Sequence, residues 1–234
     1  MRHFLVFIIL IYSGNCYAQG RDVKKNEEEV KKYFSEQISL VRNNYIKKAK
    51  KDIQKGQIED AKKHYKKLIK EELEGTYMDN FNASCLNTNK CCINDYNKPM
   101  ILMTYASWCV PGKGEIPAVN QLSNHYEDEI DFVALFWDDK RNARKAARDL
   151  NNDIHVVYVD ELQNRYAHTI TMLKHSIGFP KVFSIGSDKK ILRIKNTKNL
   201  PYHKDLDKSL KINLAFYKKL IQGIFDYEAD GNRK

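Results

Sequence analysis

No run of 18 or more apolar residues follows the opening segment, so nothing in the body of the chain is expected to span a membrane. No RNA- or DNA-binding motif accompanies the basic charge. Forty Lys and Arg stand against thirty Asp and Glu, a net +10, but the lysines are scattered among glutamates, the pattern of solvated helix faces, and nucleic acid is not an expected partner. Residues 21–75 contain neither proline nor cysteine, which leaves helices there uninterrupted. Cysteine is scarce everywhere: Cys16, Cys85, Cys91, Cys92 and Cys109 are the full set. What is present argues for a folded, soluble protein, with 42% hydrophobic residues, 14 tyrosines and 30% charged residues. A length of 234 residues suits one domain plus an appendage and is too short for two large domains.

The first eighteen residues have the layout of a signal peptide. Arg2 and His3 form a basic head, Phe4 to Tyr12 is apolar, and Cys16-Tyr17-Ala18 offers small residues around a cleavage site after Ala18. A lipid anchor through Cys16 would need a small residue before it, and Asn15 is a poor one. Export to the periplasm or cell envelope is therefore expected. Without residues 1–18 and their single cation Arg2, the charge falls from +10 to +9. Four cysteines remain in a compartment where disulfides persist, so each is a staple or an exchange thiol.

Composition divides the rest. Residues 19–75 read as a helical hairpin: Val30, Tyr33, Phe34, Ile38, Val41 and Tyr45 recur at helical spacing, Gly56 interrupts, and Ile58, Ala61, Tyr65, Leu68 and Ile69 resume. Residues 76–228 alternate strand and helix. Lys98–Ser107, Ile130–Asp139 and Ile154–Asp160 read as buried strands. Helices are expected over Glu115–Tyr126, Lys140–Leu150 and from about Glu161 to His175. A hairpin at Phe179–Asn196 follows, turning at Gly186-Ser187-Asp188, and then an amphipathic helix from Asp205 to Tyr227 through Leu210, Leu214, Phe216, Leu220, Ile221 and Ile224. This order implies an α/β fold with mixed strand directions. Residues 229–234 read as a polar tail.

The chemistry concentrates at Ala106-Ser107-Trp108-Cys109-Val110-Pro111-Gly112-Lys113-Gly114-Glu115-Ile116-Pro117. A cysteine leaving a buried strand for a helix start would meet unpaired N–H groups and the positive helix end, which favour the thiolate, the nucleophilic form. Pro111 suits a first helical turn, and Pro117 would then kink the helix.

The string YASWCVPGKGEIPAVNQL resembles the motif of the TlpA/ResA-like thioredoxin-fold thiol–disulfide oxidoreductases. Trp108, Cys109, Pro111, Lys113, Glu115 and Pro117 fit that pattern, with Gly112 where the family has its second cysteine. Gly178-Phe179-Pro180 is similar to the family's cis-proline segment, and the following hairpin also fits. The resemblance covers roughly residues 76–225. It implies a thioredoxin-like mixed sheet flanked by helices, with Cys109 as nucleophile and Trp108, Pro111, Phe179 and Pro180 shaping a substrate groove. Phe179 would offer its backbone to an extended substrate. Glu115 is either a solvated helix carboxylate or, as the resemblance implies, a partly buried acid that exchanges protons. Protein thiols or disulfides, and a small-molecule thiol, are the expected partners. No cofactor or metal is expected.

A glycine at 112 removes the internal resolving thiol. Three continuations are open. A small thiol could release the mixed disulfide, or one of Cys85, Cys91 and Cys92 could. Otherwise turnover is lost and a non-catalytic thioredoxin-like module binds partners through the cis-proline groove or the helical hairpin. Cys85 lies six and seven residues before Cys91 and Cys92, so a structural bridge from Cys85 to one of them would leave the other as a thiol. The spacing matches no common zinc pattern. A thiol peroxidase is a further alternative, weakened by Ala106 where a threonine is needed and by Val110 and Trp108 beside the cysteine. Finally, residues 49–69 resemble one tetratricopeptide unit in part, through Ala49, Gly56, Ala61 and Tyr65. Such arrays normally need about three repeats.

Overall fold

The structure, a computed structural model, describes residues 30–109, 111–163, 167–197 and 205–231. The expected signal segment, with Cys16, lies outside the described residues.

The N-terminal pattern forms two antiparallel helices, α1 (Phe34–Gln54) and α2 (Ile58–Lys67), the second continuing as a π-helical turn over Leu68–Leu73. Gly56 joins them at φ 75°, the left-handed conformation that ends a helix and that glycine adopts without a Cβ penalty. Ala49 and Ala61 are buried where the helices approach.

A six-stranded sheet follows, built from β1 (Ser84–Cys85), β2 (Met100–Tyr105), β3 (Asp131–Phe136), β4 (Ile154–Tyr158), β5 (Lys181–Ile185) and β6 (Ile191–Asn196), in the order β1-β4-β3-β2-β5-β6. β2 pairs in parallel with β3, and β3 with β4. β5 runs antiparallel to β2, β6 to β5, and β1 to β4. Every residue of β2 and β3 is buried. That explains why both strands are nearly continuous apolar runs rather than alternating ones: each face meets helices.

The two faces divide the core. Met100, Leu102, Val133, Leu135 and Phe183 pack with Phe34, Ile38, Leu68, Ile69 and Leu73 of the hairpin and with α5 (Ala167–His175). Phe34 meets Phe183 edge-on, ring centroids 6.2 Å apart. Ile101, Met103, Phe132 and Ala134 pack with α3 (Glu115–His125), α4 (Lys140–Ala146) and α6 (Leu206–Gly231). The hairpin therefore shares its core with the sheet. Burying side chains of this size stabilises by about 1.5–3 kcal/mol each, so hairpin and sheet hold one another.

Several boundaries differ from the sequence expectation. The first long strand is shorter at both ends. The helix expected from Glu161 begins at Ala167. α6 reaches Gly231, into the stretch read as a polar tail. Its buried stripe is Ser209, Asn213, Tyr217, Leu220, Ile221 and Ile224, whereas Leu210, Leu214 and Phe216 are only partly covered. Among the described residues no helix is long and apolar enough to cross a membrane.

Candidate functional site

The site lies past the carboxyl ends of the parallel strands, where open α/β sheets bind ligands. After Tyr105 the chain turns sharply. The Ser107 N–H and hydroxyl both donate to Asp138 beyond β3, at 2.6 and 2.7 Å, and the Cys109 N–H closes a turn on the Ala106 carbonyl at 2.8 Å. Cys109 is partly buried against the α3/α6 core. Trp108, beside it, is 67% exposed.

The Phe179–Pro180 peptide bond is cis. The preceding Gly178 takes φ 71°, and the following Lys181 N–H is held by the Thr104 hydroxyl oxygen at 3.2 Å. The Phe179 ring lies 5.2 Å from that of Trp108. The cis-proline loop and the cysteine loop are thus in direct aromatic contact.

One expectation is corrected. α3 begins at Glu115, with Gly114 at its N-cap, so Cys109 and Pro111 precede the helix by a loop and are not in its first turn. The helix-dipole argument for a stabilised thiolate does not apply in that form, because the field is strongest within the terminal turn. Pro117 becomes the third helical residue, where its missing N–H has no intrahelical partner to lose, and no kink is needed.

Glu115 is 2% exposed. One carboxyl oxygen accepts hydrogen bonds from the Tyr105 hydroxyl at 2.8 Å and the Tyr217 hydroxyl at 3.2 Å, and the other faces the Gly112 N–H at 3.4 Å. Burial raises its pKa, and these neutral donors offset the rise only in part. Both phenols are pushed well above their ordinary value, first by burial and then by the carboxylate. They remain neutral donors.

α6 closes the site from the far side. Ser209, Asn213 and Tyr217 lie four residues apart on one face, all fully buried. The Ser209 Oγ accepts from the Gly114 N–H at 3.0 Å, and Asn213 donates to the Ser209 carbonyl at 2.8 Å. A Cβ at Gly114 would sit 2.2 Å from the Leu210 nitrogen, so only glycine allows this approach. A Cβ at Gly112 would meet nothing closer than the Ser209 Oγ at 3.9 Å.

The remaining cysteines are elsewhere. Cys85 and Cys91 form a disulfide, Cα atoms 5.3 Å apart, on the β1 edge. β4 and β3 lie between β1 and β2, a separation of about 14 Å at ordinary strand spacing. Cys92 pairs with Asn82 on the same edge and its thiol donates to the Asn82 side chain. Its pKa is raised by burial and by Asp95.

The sequence reading missed Tyr105, Tyr217, Ser209, Gly114 and Asp138. A usable signal existed in α6: polar residues at 209, 213 and 217 interrupt an apolar face at helical spacing.

The topology, with a cis-proline facing a cysteine loop across β2, decides the class. The architecture is thioredoxin-like. No family model matches the chain. The thioredoxin-like protein YneN of Bacillus subtilis is 29% identical over 76 residues, covering 32% of this chain and 45% of that protein. The match therefore spans under half of that relative. The thioredoxin domain of a thiol–disulfide oxidoreductase from Bacteroides vulgatus is 15% identical, with a TM-score of 0.47 over 62% of this chain and 96% of the other. StoA of Bacillus subtilis is 17% identical, with a TM-score of 0.40 over 50% and 87% of the two chains.

Proposed function

We propose that this chain is an exported thiol–disulfide exchange protein acting through the single nucleophile Cys109. One juxtaposition carries the reading: Trp108, adjacent to Cys109, packs 5.2 Å from Phe179, adjacent to the cis-proline. Trp108, Pro111, Phe179 and Pro180 would border the groove for an extended substrate. The Cys109 thiolate attacks one sulfur of a substrate disulfide, forms a mixed disulfide and expels the other sulfur as thiolate. Cys109 is oxidised to the disulfide level and one substrate sulfur is reduced. Glu115, near the loop and with its pKa raised, would take or return the proton exchanged with the sulfurs.

Release then needs a second thiol. Position 112 supplies none, Cys85 is bridged to Cys91, and Cys92 lies on the β1 edge. The resolving thiol is therefore a small molecule that attacks the Cys109 sulfur of the mixed disulfide and frees the substrate thiol. A second equivalent then attacks the new bond, returning the Cys109 thiolate and leaving as the small-molecule disulfide. The same three facts favour a second reading, a module that captures or binds partners without turnover. Export rests on the signal-peptide pattern of residues 1–18.

Reduction of insulin by dithiothreitol separates the readings. Wild type is expected to accelerate it, Cys109→Ser to abolish the effect, and Gly112→Cys to increase it, a Cβ at 112 making only an ordinary contact with the Ser209 Oγ at 3.9 Å. Equal inactivity of wild type and Cys109→Ser, with activity appearing only in Gly112→Cys, would leave the binding reading.

A further inference from the structure

We propose that Tyr65, on the second helix of the N-terminal hairpin, is a positioning residue that holds the cis-proline loop in its substrate-binding shape. The proposal rests on the exchange reading for its functional consequence, but its structural claim stands apart from it.

The Tyr65 hydroxyl donates to the Ile177 carbonyl at 3.1 Å, immediately before the Gly178-Phe179-Pro180 turn. Its ring lies 5.6 Å from the Lys181 Nζ, immediately after that turn. One side chain thus touches both ends of the cis-proline loop. Lys181 is 5% exposed, and a cation so far from water is favoured by an aromatic face. The Thr104 hydroxyl oxygen holds the Lys181 backbone N–H. The loop between these anchors contains a left-handed glycine and the cis bond, and it carries the Phe179 ring that meets Trp108.

Tyr65 is itself held. The Tyr45 ring of α1 packs 6.1 Å away, and both tyrosines border the core shared with Ile170, Leu173 and Ile177. Burial keeps the Tyr65 phenol neutral and therefore a donor. The partial tetratricopeptide pattern thus has a local use: the tyrosine expected to fill a repeat groove instead reaches the loop beside the site.

An extended peptide pairs with the backbone of this loop, whereas a small disulfide needs only the sulfur of Cys109. Loosening the loop should therefore weaken peptide capture without changing intrinsic thiol reactivity. The test compares full-length wild type, Tyr65→Phe and Tyr65→Leu. Amide hydrogen exchange at Gly178, Phe179 and Lys181 should quicken about fivefold in Tyr65→Phe, the loss of one hydrogen bond, and more in Tyr65→Leu, with β3 amides unaffected in Tyr65→Phe. For a peptide mixed disulfide, KM should rise about threefold to fivefold at constant maximal rate, while the rate with 5,5′-dithiobis(2-nitrobenzoate) stays the same. Unchanged exchange at the loop in both variants, or equal quickening in loop and β3, overturns the proposal. If wild type fails to react with the peptide while the loop amides respond as expected, the brace stands and the exchange reading falls.

Discussion

Two buried carboxyl groups stand at opposite ends of the central sheet, and their partners differ in kind. Asp131, at the start of β3, has a cation and an imidazole: one oxygen lies 3.2 Å from the Lys90 Nζ and 3.3 Å from the His155 Nε2. Burial alone would raise its pKa, but these partners outweigh burial and hold it below the usual carboxylate range. Glu115, past the end of β2, has only neutral donors, two phenols and a backbone N–H, and its pKa is raised. A charge that is compensated keeps its proton off and serves the structure. A carboxyl without a cation is costly when ionised and can exchange a proton, as a site beside a reactive sulfur requires.

The contrast can be broken by neutralising each carboxyl in turn. Asp131→Asn strands Lys90 and His155 beside a neutral amide and should lower stability at pH 7 by about 2 kcal/mol, the buried-pair cost discounted because both partners are partly exposed. That corresponds to a Tm lower by about 5 °C. Glu115→Gln should change stability by less than about 1 kcal/mol, because it keeps the shape and removes a charge that burial disfavours. Thermal unfolding of both variants reads this directly. Equal losses would show that the two carboxyls are held alike.

A smaller effect sharpens the same point through pH. The folded-state pKa of Glu115 lies above its unfolded value. Its stabilising contribution is therefore full below about pH 4.3 and fades as pH rises through the folded value. The Tm difference, wild type minus Glu115→Gln, should shrink as pH is raised from 4 to 8. Asp131 has the opposite sign: its contribution is present above about pH 3.9 and lost as pH falls through the lowered folded value. Parallel pH curves for the two variants would contradict this assignment.

The strands and the cis-proline segment were legible because their signals are local. MILMTY and DFVALF are nearly continuous apolar runs, broken only by Thr104 and Asp131, and Gly-Phe-Pro precedes an apolar strand. What escaped was the contact between segments distant in sequence. Tyr217 meets Glu115 across 102 residues, and Tyr65 meets Ile177 across 112. The polar spacing at 209, 213 and 217 marks a buried face of α6, but no local pattern says which distant segment either tyrosine meets. The place of Cys109 was misjudged for another reason. The helix starts at Glu115, as its spacing implied, but proline suits both a loop and a first helical turn, so Pro111 did not reveal the loop that separates Cys109 from it. Gly114 was silent because its requirement comes from the backbone of α6, 95 residues away. The hairpin read as an appendage because its own pattern is amphipathic, and an apolar face does not say what covers it.

The most direct test of the central claim, that Cys109 exchanges alone, is an intact-mass measurement after mixing the reduced-site protein with a peptide disulfide. One peptide per chain is expected, mapped to Cys109 after proteolysis, stable until a small thiol is added, and lost without added thiol in Gly112→Cys. Attachment at Cys92, or none at Cys109, would contradict it.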